Sequence, residues 1–110
     1  MSSVQDRYVA AVINRPIGYA QYTNLSAVVD LDDAPAAGKR IDQLKGACSR
    51  ALIQAEAQAI RWTDDPDVAP SDTVGMVIPA GTTLEYDGDL SQFRMIQDAA
   101  GAIANITYYN

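Results

Sequence analysis

From residue 73 to residue 110 the chain sets short apolar runs between turn-forming residues, and this spacing constrains the fold more than any other feature. Thr73-Val74-Gly75-Met76-Val77-Ile78 leads into Pro79-Ala80-Gly81, and Thr82-Thr83-Leu84-Glu85-Tyr86 leads into Asp87-Gly88. Two further apolar runs follow, at 93–96 and 103–109, with Gly101 between them. Proline fixes φ and glycine accepts the positive φ of tight turns, so strands at this spacing predict a compact antiparallel sheet. Asp87-Gly88 is a hairpin signal in its own right.

The remaining segments are read in the same way. Residues 1–7 are small and polar and predict a mobile arm. The runs 8–13 and 17–22 read as strands, the second with Ile17, Tyr19 and Gln21 on one side and Gly18, Ala20 and Tyr22 on the other. Residues 25–31 read as a strand and 32–38 as a loop, while 39–47 fit either a turn of helix or a loop. Over 47–62 two signals conflict. Ala55-Glu56-Ala57-Gln58-Ala59 is rich in helix formers, and Ala51, Ala55, Ala59 and Trp62 would share one helical stripe. The same five residues alternate small apolar with polar, as a half-buried strand does. Residues 63–72 form a loop on either reading. Residues 92–97 also admit a helix, because Leu90, Phe93, Ile96 and Ala100 fall at helical spacing.

A chain of 110 residues accommodates one domain, expected over 16–110 behind an N-terminal arm of residues 1–15. The formal net charge of -6 repels phosphate backbones and anionic lipid surfaces, and the eight basic residues include one adjacent pair, Lys39-Arg40. Nucleic acid and membrane are therefore not expected partners. No run approaches the roughly 18–20 apolar residues of a membrane span, and the start of the chain lacks the pattern of a secretory signal. A single cysteine, Cys48, makes no internal disulfide.

Catalytic chemistry finds little support. The chain has no histidine, which removes the commonest neutral-pH base and the commonest zinc ligand and leaves Cys48 without its usual partner in thiol catalysis. Glu85 and Asp87 would share a strand face about 7 Å apart, with Asp89 nearby, a geometry permissive for a glycosidase pair. Their place beside a hairpin signal favours a structural reading. Asp64, Asp65, Asp67 and Asp72 fit a solvated loop better than a calcium site, since they lack the EF-hand spacing. No enzyme activity, cofactor or metal is expected. Consecutive Tyr108 and Tyr109 on one strand would face opposite sides, so one of them should meet solvent or a partner.

The run Ala51-Leu52-Ile53-Gln54-Ala55-Glu56-Ala57-Gln58-Ala59-Ile60-Arg61-Trp62-Thr63-Asp64-Asp65 precedes Val74-Gly75-Met76, Ile78-Pro79-Ala80-Gly81, Leu84-Glu85-Tyr86 and Gly88-Asp89-Leu90. With the closing Asn105-Ile106-Thr107-Tyr108-Tyr109, it resembles small structural proteins of tailed bacteriophages over roughly residues 50–110. The resemblance implies an all-β fold, a small antiparallel β-sandwich of jelly-roll-like form, with 47–62 as strand. It also implies a virion protein made in the host cytoplasm and placed on the outer capsid surface. There it would act as a decoration or cementing protein, a homo-oligomer bridging neighbouring copies of the major capsid protein. A tail or head-fibre module binding host-surface glycan is the alternative. Trp62, Tyr108, Tyr109 and Arg61 are the expected contact residues, and residues 1–15 are expected to lie across a neighbouring subunit.

Overall fold

The computed structural model describes residues 15–44 and 48–110. Residues 1–14, which hold all of the expected arm but Arg15 together with the strand expected at 8–13, lie outside the described residues. Nine strands are described: β1 (Pro16–Tyr22), β2 (Val29–Asp30), β3 (Ala37–Gly38), β4 (Arg50–Glu56), β5 (Ile60–Thr63), β6 (Met76–Ile78), β7 (Thr83–Tyr86), β8 (Arg94–Gln97) and β9 (Ile103–Tyr109). One turn of 3-10 helix, Ile41–Leu44, precedes β4. The strands form a five-stranded antiparallel sheet, β3-β1-β9-β4-β7, and a four-stranded one, β2-β8-β5-β6. The fold is a small antiparallel β-sandwich.

The pairing follows from how the chain bends. β4 and β5 are successive halves of one path that crosses from the larger sheet to the smaller, while β6 and β7 cross back beside it. β8 and β9 do the same on its other flank, and β1 and β2 complete the set. The molecule is therefore a four-stranded antiparallel ribbon folded in half, with β3 added to one edge. Backbone bonds carry the pairing around the fold line: Gly81 N–H donates to the Ala55 carbonyl, Ala55 N–H to Thr82, and Asp98 N–H to Ala59.

Folding the ribbon buries one face of each half against the other. Ala20 and Tyr22 from β1, Ala51, Ile53 and Ala55 from β4, and Ala104, Ile106 and Tyr108 from β9 point inward, and all are buried. Ile60, Ile78 and Met95 meet them from the smaller sheet. The period of two that favoured a strand over 47–62 wins over helix propensity because only an extended chain can put Ala51, Ile53 and Ala55 on one side.

The fold corrects several local expectations. Asp87-Gly88 closes no hairpin, because β7 and β8 belong to different sheets and 87–93 passes between them. Pro79-Ala80-Gly81 likewise turns a corner from one sheet to the other. Residues 25–31 are strand only at Val29–Asp30. Leu25 instead sits fully buried at the corner, its carbonyl accepting from Gln97 N–H. The helical spacing at 92–97 yields to β8, which lies between β2 and β5 and takes its backbone partners from both.

Ala57 marks the corner between β4 and β5 and has a φ of 73°, a conformation that favours glycine. Gln58 N–H donates to the Glu56 carbonyl across it, closing a tight three-residue turn. Ala57→Gly is expected to raise stability by up to about 1 kcal/mol, because relief of strain at this residue outweighs the added freedom of the unfolded chain. Urea denaturation of the two proteins measures this. A lower midpoint for the glycine variant would show that the turn carries no strain.

Candidate functional site

Trp62, near the end of β5, pairs across the sheet with Met76 of β6 and Met95 of β8. Its indole stacks on Phe93 at 5.2 Å between ring centroids and meets Tyr86 edge-on at 5.5 Å. Tyr86 and Phe93 touch in turn at 5.0 Å, so the three rings join the two sheets at the end away from the fold line. The Tyr86 hydroxyl donates to Asp64 Oδ2 at 2.8 Å and lies 3.2 Å from the Asp89 carbonyl. Burial first, then the bond to Asp64 and the charges of Asp64, Asp89 and Asp87, push its ionisation upward.

Beyond the half-buried indole opens a cleft of about 410 Å³, walled by Thr63, Asp64, Val68, Val74, Gly75 and Met76. Its apolar rim faces solvent, with Met76 64% exposed, Val74 42% and Val68 40%. The rim is held in place. Thr63 Oγ1 donates to the Val68 carbonyl at 2.6 Å, and Arg94 donates to the carbonyls of Asp65 and Val68 at 3.0 and 3.1 Å. Ser71 Oγ accepts from Val74 N–H at 3.0 Å. Gly75 has a φ of 123°, and a Cβ there would stand 2.9 Å from the Trp62 carbonyl oxygen, so the loop approaches β5 this closely only through glycine.

β6 borders this cleft and is the edge of its sheet, hydrogen-bonded on one side by β5. Its sequence, Met-Val-Ile, carries no charge, and Val77 on its other face is 45% exposed. Soluble proteins usually protect such an edge with lysine, proline or a covering loop.

The four expected contact residues are dispersed. Trp62 floors the cleft. Arg61 lies on the opposite face of β5, where Nε donates to Asp98 Oδ1 at 2.7 Å and Nη1 to the Gly75 carbonyl at 3.3 Å, so it supports the rim from behind. Tyr109 is half-buried on the outer face of the larger sheet beneath the Arg50 guanidinium, 5.8 Å from the ring centroid. Arg50 also pairs with Glu85. Tyr108 is the correction: it is fully buried, a core residue and not a surface contact, because β9 turns this side of its pleat toward the other sheet. Val68, Val74 and Met76 were not among the expected contact residues. For Val74 and Met76 the signal lay in the uncharged run from Val74 to Ile78, which reads equally well as a central strand, and Val68 carried none.

Several of the acidic residues singled out from sequence are held in local structure, and none form the expected pair. Glu85 lies on β7 and Asp87 beyond its end, so the two do not share a strand. Asp65 Oδ1 accepts from Asp67 N–H, and Asp89 Oδ1 from Ser91 N–H and Oγ. Among the described residues no three acidic or cysteine side chains converge in a way that could hold a metal ion. Cys48 is half-buried against the core, its thiol donating to the Arg50 carbonyl, and burial pushes its ionisation upward.

Comparison with protein-family models, curated proteins and solved structures gives no match. Functional assignment therefore rests on the surface itself. The cleft offers apolar area, a backbone edge unpaired among the described residues and acidic flanks at Asp64 and Asp65, which together suit contact with another protein surface.

Proposed function

We propose that this chain is a structural protein of a tailed-bacteriophage virion that decorates the outer capsid surface. It stabilises the shell by bridging neighbouring copies of the major capsid protein and by associating with copies of itself. The observation that carries this reading is the uncharged β6 edge beside the Trp62 cleft. Apolar area of this kind is costly to leave in water, and a rigid partner surface relieves that cost. A second support is where the resemblance falls in space: Trp62-Thr63-Asp64-Asp65 and Val74-Gly75-Met76, on either side of the loop 66–73, line this one cleft. Contacts of modest strength repeated over a symmetric shell add up to large collective stability.

The test is the copy number and position of the protein in purified particles, by quantitative mass spectrometry and cryo-electron microscopy. Hundreds of copies on the outer shell are expected. Adding the protein back to particles that lack it is expected to raise their heat tolerance. Met76→Lys places a charge on the cleft rim without touching the core and is expected to weaken attachment by about 2 kcal/mol. A few copies at a tail or fibre, with shell stability unchanged, would overturn the reading.

A further inference from the structure

The outer face of the larger sheet carries a second, chemically distinct surface, independent of the proposed capsid contact. Two cross-strand rows run over four strands: Tyr19, Thr107, Leu52 and Glu85 in one, and Gln21, Asn105, Gln54 and Thr83 in the next. Three inter-strand spacings make each row roughly 14 Å long. Between the rows lies a shallow depression of about 530 Å³, within the range of small-ligand sites.

Asn105 organises this surface. Its Oδ1 accepts from the Tyr19 hydroxyl at 2.9 Å and from Gln21 Nε2 at 3.0 Å. Its Nδ2 donates to Gln54 Oε1 at 3.1 Å and to Glu56 Oε1 at 2.7 Å. All four hydrogen-bonding positions of one central amide are thus used to fix four neighbours. An ordinary solvated sheet face is polar, but its side chains need not be locked to one another. Among the described residues the locked side chains keep their other groups free, namely the Gln54 amide protons, the Gln21 carbonyl and the second Glu56 oxygen, and the hydroxyls of Thr107 and Thr83 stand beside them. Donors and acceptors alternate across the face, while the 44% exposed Tyr19 ring and the half-buried Leu52 add apolar contact.

We propose that this face is a binding platform for a neutral oligosaccharide. A sugar presents hydroxyls that both donate and accept, together with an apolar C–H face that packs on an aromatic ring. Paired amides and a tethered tyrosine match that chemistry. Prior ordering of the side chains removes much of the rotamer entropy otherwise lost on binding. Glu56 and the chain's net charge of -6 disfavour anionic glycans.

The full-length chain tested on a panel of immobilised neutral oligosaccharides, ending in glucose, galactose, mannose or N-acetylglucosamine, reads this directly. At least one probe is expected to bind with a Kd below about 1 mM by titration calorimetry. Tyr19→Ala and Gln54→Ala, both on the exposed face and checked for folding by circular dichroism, should each weaken binding at least about tenfold. Met76→Lys should leave it unchanged, which separates this site from the capsid contact. No retained probe, or retained binding in both variants, would overturn the proposal. So would a change in the oligomeric state of Gln54→Ala by sedimentation, since the face would then be a contact between copies.

Discussion

Stability is expected to fall steeply as the pH rises above about 10, because three buried tyrosines hold their protons far more tightly folded than unfolded. Tyr22, Tyr86 and Tyr108 all have ionisation raised well beyond the usual value of 10.0, with burial as the first cause in each. The carboxylates of Asp33, Asp30 and Asp32 add to the effect at Tyr22, and Asp64 does so at Tyr86. Below the unfolded-state pKa both states are protonated, and the full stability is present. Above it the unfolded chain releases protons that the folded chain keeps, so each tyrosine lowers the unfolding free energy by about 1.4 kcal/mol per pH unit. Three together give a slope of about 4 kcal/mol per pH unit, against a total stability typically of about 5–15 kcal/mol. Urea unfolding at successive alkaline pH values, followed with tyrosinate absorbance, measures the slope. Tyr108→Phe should reduce it by about a third without loss of stability at neutral pH, since the Tyr108 hydroxyl is buried with no hydrogen-bond partner among the described residues. Full tyrosinate absorbance in a still-folded protein would refute this account.

Phe93→Ala is expected to cost about 3–5 kcal/mol, the range for emptying a fully buried phenylalanine site. Phe93 touches both Trp62 and Tyr86, and edge and stacked aromatic pairs add about 0.5–1.5 kcal/mol beyond area burial. The loss falls where the two sheets are joined and where the cleft has its floor. Capsid attachment should therefore weaken beyond what the fraction unfolded explains. Phe93→Leu keeps most of the volume and should cost distinctly less. Urea denaturation of both variants decides the matter, and an alanine cost below about 1 kcal/mol would mean that the site collapses without a cavity.

Much of the strand pattern was legible because a period of two needs no partner to be visible. From residue 19 to residue 22 the two sides separated as the residues implied, with Ala20 and Tyr22 facing the core and Tyr19 and Gln21 facing outward, but Ile17, read on the outward side, packs against the core because the register shifts between Pro16 and Gly18. The opposed faces of Tyr108 and Tyr109 were legible in the same way, but which of them was covered was not. Hairpin signals misled because Asp87-Gly88 and Pro79-Ala80-Gly81 specify a turn and say nothing of whether the strands beside it pair with each other. The candidate site was legible at Trp62 alone, for nothing local in the sequence says that the loop carrying Val68 and Val74 and the edge strand carrying Met76 fold back beside it.

Alternation of apolar and polar residues, with turn formers between runs, predicted extended antiparallel strands buried on one face over 17–22 and 73–110, while over 47–62 it conflicted with helix propensity and only the resemblance implied strand. Those are local properties, set by the pleat and by allowed backbone angles. Only the tertiary structure decided that the ribbon bends at Ala57, at 79–82 and at 98–102. That bend buries Tyr108, puts β6 at the edge of its sheet among the described residues, brings Trp62 onto Phe93 and spreads Asn105 and its partners over the outer face. The reason is that these contacts join residues far apart in the chain, and the free energy that selects them appears only when both halves of the ribbon meet.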